Sequence, residues 1–226
     1  MDILDDVVIE GIGAEFTLLD AGGIDRYFDA PSVSSPVSIT LRALTIENGS
    51  ATSSAFADGG AIRVLLGDLT IAEAGLFLNE ANDEGGAVSV AGGGPLLVTG
   101  SVLRVNGAGR TGGAIESGVD TTIRDTTLAD NTSGGSGGGA RVKDSLLIGE
   151  RVSVIGNEAV DGGGLAVFRG TLQLSNSTVS GNIAMANNGA GVQVHGDVSE
   201  LVHVTIADNV GGFGLGGRSK RHGSPM

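Results

Sequence analysis

A short glycine-containing motif returns along the chain at a nearly constant interval, and this repeat restricts the fold more than any other feature. "DGGAIRV" at residues 58–64 is followed by "EGGAVSV", "TGGAIES", "GGGARV", "GGGLAV" and "GAGVQV". The leading glycines are 26, 27, 25, 25 and 27 residues apart, and they are Gly59, Gly85, Gly112, Gly137, Gly162 and Gly189. A period near 26 residues is typical of a solenoid, in which each repeat stacks on its predecessor.

A set of asparagines follows the same period. Each one ends a short apolar run such as "GLFLN" or "STVSGN", and after a first interval of 31 residues the spacings are 27, 25, 26, 25 and 27. The set comprises Asn48, Asn79, Asn106, Asn131, Asn157, Asn182 and Asn209. Side-chain amides can bond to the equivalent amide on a stacked neighbour, so we predict an asparagine ladder. We interpret the glycines as corners that need a positive φ or a close backbone approach.

Inside each repeat, apolar and polar residues alternate with a period of two. In the coil that begins at Gly59, the alternating runs are "AIRV", "LTI" and "LFLN". Ile62 and Val64 are predicted to face inward and Arg63 outward. We therefore predict an all-β fold, a right-handed parallel β-helix of about seven to eight coils. Residues 1–210 are predicted to form this single domain, and residues 211–226 a flexible basic tail or an added remnant.

The same motifs resemble those of a known group of proteins. The combination of "GG-A/G-I/V" with a coil-ending asparagine is similar to the polymorphic outer-membrane-protein type of repeat. Residues 7–48 resemble the entry coils of bacterial surface β-helix proteins that carry a CSLREA signature, although that signature itself does not occur in this sequence. The resemblance implies export, an extracellular or cell-surface location, and an adhesin-like or structural role. Because "VVIEGIG" already reads as a strand near residue 1, we expect the sequence to be a piece of a longer protein.

Charge and composition limit the partners. The formal net charge is −13, and residues 1–209 hold all 26 acidic residues with 10 of the 13 basic ones. Such a body repels phosphate groups, so we predict no nucleic-acid partner. No run approaches the roughly 20 apolar residues of a membrane span, so no membrane insertion is expected. Surface glycans or a host or cell-surface protein are the predicted partners, together with end-to-end self-association through open solenoid ends.

Motifs that carry chemistry are weak. "GGSGG" at 134–138 matches the nucleophile-elbow pattern, and two segments match G-x-G-x-x-G, but none precedes a predicted helix. Cysteine is absent and the three histidines are not spaced as metal ligands, so we predict no catalytic residues, no cofactor and no metal site. The alternative is a carbohydrate-active β-helix enzyme, a polysaccharide lyase or glycosidase. "HGD" at 195–197 resembles a fragment of polygalacturonase motifs, and such an enzyme needs two suitably spaced carboxyl groups.

One departure from the repeat marks a candidate ligand patch. The segment between Asn48 and Gly59 is longer than its counterparts in later coils, and it follows "DRYF" at 25–28, which contains the only tyrosine. Loops on rigid scaffolds often carry binding residues. The predicted patch comprises Arg26, Tyr27, Phe56 and Asp58. The outward columns on the first two strands of each coil do not repeat one side chain, which excludes a flat threonine array and disfavours a polymer-tracking surface.

Overall fold

The chain folds as a parallel β-solenoid of about 7 turns. The computed structural model describes residues 1–52, 57–196, 199–212 and 214–216, without the side chains of Asn187, Ser199 and residues 214–216. Within these residues every regular element is a strand, and every strand pairing is parallel. The predicted all-β, parallel β-helix class is therefore confirmed.

Four sheets run along the solenoid, and each coil contributes one strand to most of them. Sheet 1 contains Phe28–Ala30, Ile62–Val64, Val88–Val90, Ile115–Ser117, Ala140–Lys143, Leu165–Phe168, Val192–His195 and Gly214–Gly216. Sheet 2 contains Val7–Glu10, Val37–Arg42, Gly67–Ala72, Leu96–Thr99, Thr121–Arg124, Leu146–Glu150, Thr171–Ser175 and Ser199–Val202. Sheet 3 contains Leu18–Asp20, Thr45–Glu47, Gly75–Phe77, Val102–Arg104, Thr127–Ala129, Ser153–Ile155, Thr178–Ser180 and Thr205–Ala207. Sheet 4 contains Ser50–Ala51, Glu80–Ala81, Gly107–Ala108, Thr132–Ser133, Glu158–Asp161 and Ile183–Asn188.

The sequence predicts three strands per coil, and the structure adds a fourth strand that forms sheet 4. Four of its six strands are only two residues long, as in Glu80–Ala81. Two residues cannot display an alternation, so the hydrophobic pattern does not reveal them. The short sheet lies directly after the asparagine corner and leads the chain back to the glycine corner.

The inward residues form one continuous core of small and medium aliphatic side chains. Ile62 and Val64 are fully buried, and Leu69 and Ile71 follow them on sheet 2. Each aligns with an aliphatic residue of the next coil: Ile62 pairs with Val88. Stacking thus buries a face that a single coil would leave exposed to water, which is the source of solenoid stability.

Six asparagines form the predicted interior ladder. In each of five steps the side-chain Nδ2 donates to Oδ1 of the next asparagine at 2.9 Å, and the backbone N–H donates to the same oxygen. The members are Asn79, Asn106, Asn131, Asn157, Asn182 and Asn209. Each Nδ2 also donates to a backbone carbonyl of a neighbouring coil. The corner is therefore closed without unpaired amide groups on these side chains.

Asn48 is a correction to the predicted ladder. Its Nδ2 donates to Asp20 Oδ1 at 3.0 Å near the surface, and its φ is 55°. The adjacent Gly49 occupies the ladder position, because the Gly49 N–H donates to Asn79 Oδ1 at 2.8 Å. Asn48 instead fills a left-handed corner, which asparagine tolerates better than most residues. Counted from Gly49 the first interval is still 30 residues, so its length reflects the longer segment before Gly59 and does not reveal this one-residue shift.

The glycine corners have the predicted backbone. Every leading glycine of the repeat has a φ between 57° and 72°, in the left-handed region: Gly59, Gly85, Gly112, Gly137, Gly162 and Gly189. The following glycine serves a different purpose. A Cβ on Gly86 would lie 2.1 Å from the carbonyl oxygen of Gly113, so adjacent coils could not approach as they do. The pair thus combines a turn with a close approach.

Both ends of the solenoid present strand edges. In sheet 2, Val7–Glu10 pairs only with Val37–Arg42, and Ser199–Val202 only with Thr171–Ser175, among the described strands. Of the segment predicted as a tail, Gly214–Gly216 pairs with Val192–His195, whereas Phe213 and residues 217–226 lie outside the described residues. End-to-end association through these edges stays a prediction.

Candidate functional site

Arginine and carboxylate side chains join adjacent coils across the outer surface. Each of the nine arginines in the described ranges lies within 4 Å of a carboxylate oxygen, and eight of them reach a carboxylate 25 to 34 residues away. Those eight pairs are Arg42–Glu10, Arg63–Asp29, Arg104–Asp130, Arg110–Asp83, Arg124–Glu150, Arg141–Glu116, Arg151–Asp125 and Arg169–Asp144. The described arginines are therefore paired mainly between coils.

The outward column of sheet 1 is covered, although the alternation predicts an exposed column. Arg63 does point away from the core, but its residue is only 5% exposed, and Ser89 and Glu116 are similarly buried. The leading glycines of the corners lie against this column: a Cβ on Gly85 would be 3.1 Å from Ser89 Cβ. The corners thus fold back over sheet 1 and shield polar side chains that the pattern assigns to solvent.

The first charged cluster under these corners is centred on Asp29. Arg63 Nε and Nη2 donate to the two carboxylate oxygens of Asp29, each at 2.8 Å, which is a bidentate pair. Arg26 Nη1 lies 3.6 Å from Asp29 Oδ1. Burial is the main cause that lowers the pKa of Arg26, and the charge of Arg63 adds to it. Two guanidinium groups thus share one carboxylate at the N-terminal part of sheet 1.

The second cluster is centred on Glu116. Arg141 Nη1 donates to Glu116 Oε1 and lies 3.4 Å from Thr111 Oγ1. Glu116 is 6% exposed, and its Oε2 is buried with no hydrogen-bond partner among the residues that the structure describes. Burial raises the pKa of Glu116 to about 7, opposed by the positive charge of Arg141 and assisted by the negative charge of Glu84. Among the carboxyl groups of the described residues, Glu116 has the largest pKa shift.

The chemistry available to Glu116 is that of a proton donor or acceptor near neutral pH. A carboxyl group with a raised pKa beside a second carboxylate is the pattern of a general acid. A substrate must reach the Glu116 carboxyl group before that group can transfer a proton to it. The corner glycines and Arg141 cover this carboxyl group. A substrate would have to displace the corners of two successive coils, which bear Glu84 and Thr111, before it reached Oε2.

The predicted ligand patch is only partly presented to solvent. Arg26 is buried, and the Tyr27 ring is half-buried with its centroid 4.9 Å from that of Phe28. Asp58 Oδ1 accepts a hydrogen bond from the Glu84 N–H. Phe56 lies outside the described residues. Arg26 is thus a correction: its guanidinium is taken up by a buried cluster rather than displayed at the surface.

Two histidines fall in the described ranges and do not converge. His195 ends a strand of sheet 1 and its ring lies 5.8 Å from the Phe168 ring, whereas His203 occupies a left-handed corner with φ 53°. Both are exposed. Asp197 and His222 lie outside the described residues. Among the residues that are described, no group of three or more histidine or acidic side chains is placed to hold a metal ion.

The fold defines this chain as a parallel β-solenoid protein with an interior asparagine ladder. No protein-family model, curated protein or solved structure gives a significant match to it. In the described ranges no helix has the length and apolarity that a membrane crossing requires. The class therefore rests on the geometry of the molecule itself.

Proposed function

We propose that this chain is a non-enzymatic module of an extracellular or cell-surface protein, with an adhesin-like or structural role. The observation that carries the proposal is the set of eight arginine–carboxylate pairs between adjacent coils. Groups that an enzyme would direct at a substrate are here directed at the neighbouring coil. The location is supported by the resemblance to bacterial surface β-helix repeats.

Rigid display is the physical role that this arrangement supports. The ladder, the core and the charge pairs all act between coil and coil, so each coil orders the next. Such a stack holds outward side chains at a fixed spacing of about 4.8 Å along the axis. A rigid surface of this kind binds a partner with little loss of conformational entropy on its own side.

A carbohydrate-active enzyme is the second candidate, and the Glu116 cluster is the observation that favours it. The pKa of Glu116 is about 7, and the charges of Arg141 and Glu84 act on it. A lyase or glycosidase could use such a carboxyl group. The burial of Glu116 opposes this function in the conformation described.

An activity assay separates the two candidates. The protein is incubated with pectins, alginates and glycosaminoglycans, with and without calcium, while unsaturated products and reducing ends are followed. We expect no sustained turnover. Turnover that is lost in Glu116→Gln but retained in Glu80→Gln, an exposed acid on sheet 4, would overturn the proposal and establish the enzyme.

A further inference from the structure

Sheet 3 carries a column of hydroxyl groups over four successive coils. Thr127, Ser153, Thr178 and Thr205 are direct cross-strand partners on this sheet. All four are half-buried or exposed. Thr127, Ser153 and Thr178 each precede a buried aliphatic residue, such as Leu128 after Thr127, so the pleat directs these three hydroxyl residues outward. Thr205 precedes Ile206, which is half-buried and packs against the core. Parallel neighbours in a sheet are about 4.8 Å apart, so the hydroxyl groups repeat at that interval along the solenoid.

A second outward column accompanies the first. It consists of Ala129, Ile155, Ser180 and Ala207, which are also direct cross-strand partners. Neither column carries a charged side chain over these four coils. We call these eight residues the hydroxyl face. It lies on the third strand of each coil, whereas the sequence columns that disfavour a regular array belong to the first two strands.

The hydroxyl face is held rigid from behind and from the side. The asparagine ladder lies at the corner that follows it, with Asn157 bonded to Asn131 and Asn182. At the preceding corner, Arg151 Nε and Nη2 contact the two carboxylate oxygens of Asp125, at 2.6 and 2.9 Å. The positions of the hydroxyl groups are therefore set before any partner arrives, which reduces the entropic cost of binding.

The negative net charge of the chain limits which partners can bind to the hydroxyl face. The chain has a net charge of −13, which repels both a polyanion and a second copy of itself. A neutral polymer meets no such barrier. Alternating hydroxyl and apolar contacts match pyranose chains, which present hydroxyl edges beside apolar C–H faces, and a linear array of sites suits an extended polymer rather than a single sugar.

We propose that the hydroxyl face binds an extended neutral polysaccharide, with its chain running along the solenoid axis. The inference deepens the proposed function, because it names the partner of a non-enzymatic surface module. Hydroxyl groups of successive coils would donate to and accept from the sugar hydroxyl groups, while Ile155 and the alanines would pack on C–H faces.

The test is depletion of the protein from solution by microcrystalline cellulose, over a range of cellulose concentrations. The disruptive variant is Thr127→Glu with Thr178→Glu on sheet 3. The matched control is Thr122→Glu with Gln173→Glu, which introduces the same charges in the same two coils on sheet 2, at residues of the same exposure. A third variant, Thr127→Ser with Thr178→Ser, retains both hydroxyl groups. Circular dichroism melts establish that every variant is folded.

We expect the sheet 3 variant to bind at least about tenfold more weakly than the wild type, because a carboxylate pressed against a neutral polymer loses hydration without gaining a partner. The sheet 2 control and the serine variant should retain binding within about threefold, since surface changes away from a contact have small effects. Equal loss in both charged variants, or no binding of the wild type, would overturn the inference. A second outcome would also overturn it. If the wild type does not bind cellulose but inhibits ice recrystallisation, and the sheet 3 variant does not inhibit it, then the face orders water instead.

The two proposals fail in distinguishable ways. Release of sugar products from any polysaccharide would overturn the non-enzymatic function, whatever the sheet 3 variants do. Absence of products together with binding that is insensitive to sheet 3 would overturn only the hydroxyl-face inference.

Discussion

The side-chain amide of Asn157 donates a 2.9 Å hydrogen bond to the side-chain oxygen of Asn182, which lies 25 residues later in the chain. The same nitrogen donates to the carbonyl oxygen of Leu128 at 2.9 Å. Asn157 Oδ1 in turn accepts from the backbone and side-chain nitrogens of Asn131, at 3.0 and 2.9 Å. One buried side chain thus links three consecutive coils.

Replacement of Asn157 by leucine should therefore be strongly destabilising. The change removes these four bonds. The buried Asn131 backbone N–H loses its acceptor, the Asn131 side-chain amide and the Leu128 carbonyl each lose a partner, and Asn182 Oδ1 keeps only the backbone N–H of residue 157. Each such group costs about 1–3 kcal/mol, so we expect the free energy of unfolding to fall by at least about 3 kcal/mol. Denaturant melts provide the measurement. Gln173→Leu, at an exposed position of sheet 2, is the control and should cost less than about 0.5 kcal/mol. Equal effects would show that the asparagines do not form an interior ladder.

Two glycines with nearly the same φ separate backbone strain from steric exclusion. Gly112 has φ 66° and a Cβ there would lie 2.3 Å from the Ile115 carbonyl oxygen, whereas Gly22 has φ 64° with no atom within 4 Å of such a Cβ. Gly22→Ala should cost only the left-handed penalty, about 1–2 kcal/mol. Gly112→Ala should cost about 1–3 kcal/mol more, because the corner must also shift. Thermal melts that place both variants at the same stability would contradict this account of the corners.

The protonation of Glu116 predicts a pH dependence of stability. Burial raises its pKa from an ordinary 4.5 to about 7, so the folded protein binds this proton more tightly than the unfolded chain does. The free energy of unfolding should accordingly fall as pH rises from about 5 to 7, by at most about 1.4 kcal/mol per pH unit for one proton. Above the folded pKa the contribution levels off.

The measurement is a series of urea melts of the wild type and Glu116→Gln between pH 5 and 8. The wild type should lose stability relative to the variant across the window below pH 7, because glutamine has no proton to lose. Glu80→Gln, which alters an exposed acid, should follow the wild type. Parallel curves for wild type and Glu116→Gln would mean that this carboxyl group titrates normally.

The open ends predict association that depends on salt. Apolar side chains are exposed on the first coil, among them Val8, Ile12 and Ile24. Edge strands pair readily with other chains, but the net charge opposes contact between copies. Raising the salt concentration screens this repulsion, so light scattering should show a larger mass at high salt than at low salt. Val8→Lys on the edge strand should reduce the effect, and a strict monomer under every condition would refute it.

The period, the glycine corners and most of the ladder were predictable because they depend on residues that recur in register. Gly112 and Asn131 mark their corners in the sequence as clearly as in the structure. Asn48 departs from its predicted place because the neighbouring Gly49 occupies the ladder position of that coil. A single-residue shift at a corner changes which side chain points inward, and a spacing cannot reveal it.

The candidate site was less predictable, because burial of an outward residue depends on what covers it. Alternation assigns Arg63 and Glu116 to solvent, but the folded corners bury both. The partner of Arg63 is Asp29, 34 residues away, and the irregular first coils hide that pairing from the repeat. The hydroxyl face was missed for a simpler reason: its column begins to repeat only at Thr127, after Gly75 and Val102.

The most direct test of the solenoid account is hydrogen exchange of the asparagine side-chain amides, followed by NMR. The buried Nδ2 groups of Asn79, Asn106, Asn131, Asn157 and Asn182 should exchange slowly, because opening any one of them requires separation of two coils. The exposed Asn82 and Asn176 provide the fast reference within the same chain. Protection of the five ladder amides by orders of magnitude over this reference is the predicted result, and exchange at the reference rate would contradict the stacked structure.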